Sequence, residues 1–214
     1  MTAPEPRFVT FEGIEGVGKT TQVARLSGVL DARAVPHVVT REPGGTPLAE
    51  AIRDVVLRPR EEALPPIAEL LLMFAARAVH LSNHIEPALC TGKWVICDRF
   101  TDATYAYQGT GRGMSAQDIG GLETLVQGRR RPDLTLLLDV PVATGLSRSR
   151  RRDVGKTRDR FERERAEFFE RVRGGYLARA RAEPQRIAVI DAARSVDEVG
   201  AQILAVLESR SWIS

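Results

Sequence analysis

Cysteine is scarce in this chain, long apolar runs are missing, and internal repeats and low-complexity tracts are both absent. Two cysteines, Cys90 and Cys97, are too few for a disulfide framework. Flanking a predicted strand, they read as core or near-core thiols of a reducing compartment. No stretch approaches the roughly 18 apolar residues of a membrane span. The opening residues 1–7 lack the apolar core of a secretion signal, so the expected location is the cytoplasm, with no membrane partner. The three histidines form no metal-binding pattern: His37 stands alone, and His80 and His84, one helical turn apart, read as surface or core. Excess charge is also small, with net charge +3. The arginines bunch at 148–165, which a compact polyphosphate ligand accounts for as well as nucleic acid does, and no nucleic-acid partner is expected.

What remains is an ordinary globular composition, 43% hydrophobic and 28% charged over 214 residues. That length suits one domain, 1–214, able to bury a core and to carry a small mobile insert. Apolar periodicity predicts strands at 7–12, 36–40, 94–97, 134–139 and 187–190. It predicts helices at 20–30, 46–57, 64–89, 115–127, 161–182 and 196–207. Alternation of the two along the chain implies an α/β sandwich with a mainly parallel sheet, whose ligands gather at the carboxyl ends of the strands.

Gly13-Ile14-Glu15-Gly16-Val17-Gly18-Lys19-Thr20 lies between the first strand and the first helix. Glycines, a lysine and a hydroxyl at these places make a phosphate loop, a ring of backbone N–H groups around phosphate oxygens. Gly13, Gly16 and Gly18 permit close approach, Lys19 reaches the β- and γ-phosphates, and Thr20 offers its hydroxyl to Mg²⁺. The stretch that binds ATP extends through Thr21. Switches, motors and small-molecule kinases share this loop. A guanine-reading Asn-Lys-x-Asp stretch is absent, which excludes the usual GTPases.

Arg41-Glu42-Pro43-Gly44-Gly45-Thr46 follows the second strand and Asp98-Arg99-Phe100 the third, so both share the sheet edge of the phosphate loop. Asp98 suits a metal held through water, and Arg99 a planar clamp on an acceptor phosphate. With the run from Asp98 through Gln108 to Gly109, these stretches resemble the thymidylate kinase family nearly from end to end. The resemblance implies a P-loop nucleoside monophosphate kinase fold, a five-stranded, mainly parallel sheet flanked by helices with a small lid. It implies Mg²⁺-dependent phosphoryl transfer from ATP to dTMP and a homodimer built on helices such as 64–89. It places Glu15 beside the sugar 3′-hydroxyl, Arg99 and Arg53 on the dTMP phosphate, and Pro43, Thr104, Tyr107 and Gln108 around the nucleoside. Tyr107 would exclude a 2′-hydroxyl, and Arg77 would read the thymine edge. Where the family usually stacks a phenylalanine on the base, this chain has Met73: either its thioether makes the contact or the register brings in Phe74.

Charge developing on the transferring group must be met by cations beyond Lys19. Some members of the family carry an arginine after the acidic residue of the phosphate loop. Gly16 occupies that position here, so the charge is expected from an arginine-rich mobile lid, 148–160. Arg152 and Arg158 are the expected catalytic contacts, beside Lys19 and Arg99, while Arg148 or Arg160 packs on adenine or anchors the lid. Alternatives are another nucleotide or small-molecule kinase of this fold and, in a different class, a nucleic-acid-dependent P-loop ATPase.

Overall fold

In the computed structural model, which describes residues 5–152, 160–162 and 164–213 apart from the Arg152 side chain, β1 (Phe8–Glu12) is buried along its whole length. A strand covered on both faces reads as a continuous apolar run, and Phe8, Val9 and Phe11 supply one. Thr10 within it meets the Thr135 hydroxyl at 2.8 Å, so neither buried hydroxyl is left unpaired. Around β1 the sheet runs β2 (His37–Arg41), β3 (Trp94–Asp98), β1, β4 (Leu134–Asp139), β5 (Ile187–Asp191), every neighbouring pair parallel. Parallel pairing puts the carboxyl ends of all five strands on one edge. The loops after β2, β3 and β1 therefore lie side by side, and those after β4 and β5 flank the other side of the phosphate loop.

The helices are α1 (Lys19–Ala32), α2 (Pro47–Leu57), α3 (Pro66–His80), α4 (Glu86–Cys90), α5 (Thr101–Thr104), α6 (Ala116–Gln127), α7 (Val142–Arg152), α8 (Ala166–Ala182) and α9 (Val196–Ser209). The predicted helix 64–89 is one run, α3 and α4 joined through a π-helical turn, Leu81–Ile85. A second π-helical segment, Tyr105–Gly111, continues α5 and was not foreseen from periodicity. Such widened turns are frequent at functional sites. α7 was not foreseen either: 148–152 of the expected lid are the last residues of this helix, and 153–159 lie outside the described residues. α8 begins at Ala166 and not at 161, because 160–162 turn back toward the sheet edge.

Caps account for several boundaries. Thr46 accepts from Ala49 N–H at the start of α2, and Ser195 and Glu198 form a reciprocal capping box on α9. α1 differs: Gly18, at φ 95°, precedes it with no side-chain cap and no acidic residue in the first turn. Its N-terminal N–H groups and positive dipole end are thus left to an anion. No described helix is long and apolar enough to cross a membrane.

Candidate active site

Gly13, Gly16 and Gly18 all have positive φ, at 132°, 75° and 95°, which L side chains rarely adopt. A Cβ on Gly16 would also run into the Gly145 carbonyl of α7. The loop is therefore backed closely by α7 at Gly16. Ile14 and Val17 face the core, while Glu15, Gly16, Gly18, Lys19, Thr20 and Thr21 line a cavity of about 810 Å³. Lys19 Nζ donates to the Gly13 and Ile14 carbonyls at 3.1 and 3.0 Å. Burial first, then the Arg99 guanidinium, pulls its ammonium down to about 8, against Asp98, Glu15 and Glu12.

Asp98 ends β3 at the same cavity, and its Oδ1 is buried without a hydrogen-bond partner among the described residues. An orphaned carboxylate oxygen is costly unless something comes to it. With the exposed Thr20 hydroxyl in the same cavity, the donor set is oxygen-only and suits Mg²⁺.

Arg99 follows at φ 71°, a left-handed conformation that non-glycine residues hold only where surroundings impose it. Here its N–H continues the β1 ladder by donating to Phe11 O. Its guanidinium donates to Gly13 O at 3.0 Å, Glu15 Oε1 at 2.9 Å and the Tyr176 hydroxyl at 3.2 Å. Tyr107, from the π-helical segment, donates its hydroxyl to Glu15 at 2.8 Å, and Arg99 lies 4.9 Å over its ring. Tyr176 of α8 donates in turn to Glu12 Oε2 at 2.7 Å. Sequence reasoning gave Glu12 and Tyr176 no role, since nothing in local spacing announces a hydrogen bond across 164 residues.

Glu12 is wholly buried. Burial first, then the Asp102 carboxylate, pushes its acid up from 4.5 to about 7, although Arg99, the Tyr176 hydroxyl and the Phe100 N–H oppose this. A folded-state value above the unfolded one gives stability that is full below 4.5 and lost as pH rises through about 7. Conversion of the shift puts that swing at roughly 3 kcal/mol at most. Glu12→Gln removes the titration. Measured by urea unfolding from about pH 5 to about pH 8, wild-type stability relative to the variant should fall by about 1–3 kcal/mol. A difference independent of pH would refute the raised acid.

On the β2 side, Pro43, Arg53, Met73 and Arg77 line the cavity, with Arg53 Nη1 donating to the Pro43 carbonyl at 2.8 Å. Arg77 is buried, donating through Nε to Glu42 and through Nη2 to the Thr104 hydroxyl at 3.0 Å. Met73, not Phe74, borders the cavity: Phe74 is 2% exposed, packs with Leu70 and Ile119, and carries the Arg77 guanidinium at 4.9 Å. The helical offset between neighbours turns Phe74 into the core. Gln108 lines the cavity and is tied to buried Glu69 at 2.7 Å. Tyr105 points elsewhere, to Glu123 and Arg179.

Beyond the expected residues, Phe161 and Glu162 border the cavity, Phe161 meeting the Tyr107 ring edge-on at 5.6 Å. The only sequence signal for them was their place directly after the basic run. Arg160 anchors that segment, donating to Val56 O and pairing with Glu69. Arg148 lines the cavity from α7 and donates to Ala192 O, beyond β5, at 2.8 Å. Neither the Arg152 side chain nor Arg158 lies within the described residues. Cys97 is buried, its thiol pushed well up by burial, and Cys90 is exposed.

The thymidylate kinase family model matches residues 11–203. The thymidylate kinase of Chromohalobacter salexigens is 59% identical over 96% of this chain and 98% of that protein. That of Teredinibacter turnerae is 53% identical over 95% and 98%. Among solved structures, the crystal structure of thymidylate kinase from Ehrlichia chaffeensis superposes with a TM-score of 0.77 at 36% identity, covering 95% of this chain and all of that one.

Proposed function

The chain belongs to the thymidylate kinase family, and on that premise we propose that it transfers the γ-phosphoryl group of ATP to dTMP, releasing dTDP and ADP. One observation carries the reading: the phosphate loop and the Arg77, Arg99 and Tyr107 side chains border a single cavity. Donor and acceptor phosphates held in one enclosure need no covalent intermediate. An acceptor phosphate oxygen attacks the γ-phosphorus, the bond to the β-γ bridging oxygen breaks, and ADP leaves with those electrons. The protein contributes position and charge.

Lys19 serves the transferring group, and the free N–H groups of α1 hold the donor phosphates. Arg99, braced by Gly13, Glu15 and Tyr176, and Arg53 hold the dTMP phosphate. Glu15 sits by the 3′-hydroxyl, and the Tyr107 ring occupies the space a 2′-hydroxyl would take. Pro43, Met73, Thr104 and Gln108 surround the nucleoside, and the Arg77 Nη1, without a partner among the described residues, donates to a base carbonyl. Thr20 and Asp98 would hold Mg²⁺, which when bound neutralises phosphate charge. Because Gly16 leaves no room for a cation in the loop, Arg152 and Arg158 of the lid, 148–160, supply the remaining charge, with Arg148 on the adenine side and Arg160 as anchor. Closure of that segment would exclude water from the transferring group.

The proposal includes a homodimer, supported by the apolar side chains that α2, α3 and α6 leave exposed. Leu48 is 59% exposed, Ile67 and Leu71 50%, and Leu125 80%. Apolar side chains grouped on adjacent helices favour a surface that a second copy would cover.

ADP release with ATP and Mg²⁺ tests the activity, with dTMP, dUMP, dCMP, dGMP, AMP or single-stranded DNA added in turn. Turnover should require dTMP or, less well, dUMP. Equal turnover with AMP, or stimulation by DNA alone, would favour another P-loop kinase or a nucleic-acid-dependent ATPase.

A further inference from the structure

We propose that Glu42, braced by His80, is a positioning residue that fixes the Arg77 guanidinium and so sets the preference for a pyrimidine carbonyl over an exocyclic amine. The inference rests on the reading of Arg77 as the base contact. Glu42 stands in the loop after β2 but is assigned no role by the phosphate chemistry around it. Its side chain is 4% exposed, and both its oxygens are engaged. Oε2 accepts from Arg77 Nε at 2.7 Å, and Oε1 lies 3.0 Å from His80 Nδ1. His80 is fully buried, and its Nε2 is 2.7 Å from the Thr40 hydroxyl. A carboxylate only accepts, so Nδ1 donates; in the neutral ring Nε2 then accepts from Thr40. The imidazole is thereby pinned at both nitrogens, and Glu42 with it.

Arg77 is held just as closely. Nε and Nη2 are spoken for by Glu42 and Thr104, and the rings of Phe74 and Phe100 flank the guanidinium at 4.9 and 5.0 Å. Nη1 is the guanidinium nitrogen left buried without a partner among the described residues. A planar fork held in this way cannot swing its remaining N–H out of the base plane. Uracil and thymine present a carbonyl acceptor where cytosine presents an amino donor. A fixed donor rewards the first and faces the second donor to donor, which leaves a buried N–H unpaired. Released from Glu42, the same guanidinium would reorient and tolerate either edge. The backbone supports the arrangement: a Cβ on Gly45 would collide with the His80 ring and the Thr40 hydroxyl, so the second glycine of the loop leaves room for the brace.

The test compares kcat/KM for dTMP, dUMP and dCMP with saturating ATP. dUMP and dCMP differ only along the pyrimidine edge, so their ratio isolates base reading from the methyl contact. Glu42→Gln should lower dUMP and dTMP efficiency about 30-fold, mainly through KM, and dCMP no more than about 3-fold, shrinking the dUMP to dCMP ratio about 10-fold. The dTMP to dUMP ratio and the KM for ATP should stay within about twofold. Glu42→Asp should restore part of the ratio by restoring the charge, and His80→Gln should shrink it about 3-fold. Arg77→Met should remove the ratio, and adding Glu42→Gln to it should change nothing more, since both act through one guanidinium. Equal losses on all three acceptors in the Glu42 and His80 variants, or multiplicative effects in the double variant, would overturn the proposal. A ratio lost in Arg77→Met but kept in Glu42→Gln sinks the proposal alone; a ratio kept in Arg77→Met sinks the base-contact reading and the proposal with it. Should Glu42→Gln fail to fold, His80→Gln decides on the same ratio, because it reaches Arg77 through Glu42.

Discussion

Lys19→Met should lower kcat about 10³-fold while leaving the dissociation constant for dTMP within about threefold. Methionine keeps the unbranched stem of lysine but carries no charge. The change deletes the cation proposed to serve the transferring group and the Nζ donations to Gly13 and Ile14. Burial makes that cation more effective than it would be in water, because fewer solvent dipoles oppose it. The same burial holds its ammonium near 8 in the free site, and negative phosphates would restore it upward. Steady-state turnover and calorimetric titration of dTMP separate the two quantities. A kcat within tenfold of wild type would mean that the loop binds a nucleotide without driving transfer.

Arg99→Met should cost nearly as much, about 10²–10³-fold in kcat/KM for dTMP, with KM for ATP changed no more than about threefold. One guanidinium joins the phosphate loop at Gly13, the acidic residue Glu15 and, through Tyr176, helix α8. Its loss removes the proposed acceptor clamp and also leaves Glu15 and the buried Glu12–Tyr176 pair short of a positive neighbour. Because Arg99 and Glu15 are each partly exposed, the stability cost should stay near 1–3 kcal/mol, below that of a fully buried pair. Arg99→Lys should not rescue it, since a point charge cannot meet three acceptors in one plane. An unchanged KM and kcat for dTMP would remove Arg99 from the acceptor site.

Much of this arrangement was legible in the residues themselves. Strand and helix alternation located all five strands within a residue or so, because each is an apolar run bounded by polar turns. The phosphate loop was legible because its glycines meet a backbone demand that no other residue meets. α5 with its π-helical continuation escaped notice: Thr101 to Gly111 is rich in β-branched, aromatic and glycine residues, and only packing against α8 makes it helical. α7 escaped because its arginines read as part of a mobile lid, whereas Gly145 and Val142 seat it on the phosphate loop and core.

By itself, then, the sequence determined the sheet's parallel character, the phosphate loop after β1, and the residue types that strand ends deliver to one edge, all of them matters of local pattern. Which side chains meet was decided by tertiary structure. Strand order put β3 between β1 and β2, so Arg99 reaches Glu15, and Glu42 reaches Arg77 and His80. Helix rotation turned Met73 to the cavity and Phe74 beneath Arg77. Buried polar contacts of this kind join positions 35 to 164 residues apart, the Arg77–Glu42 ion pair at one end and the Tyr176–Glu12 hydrogen bond at the other. Their partners share no sequence spacing; what couples them is the low dielectric of a core in which no charge can be left alone.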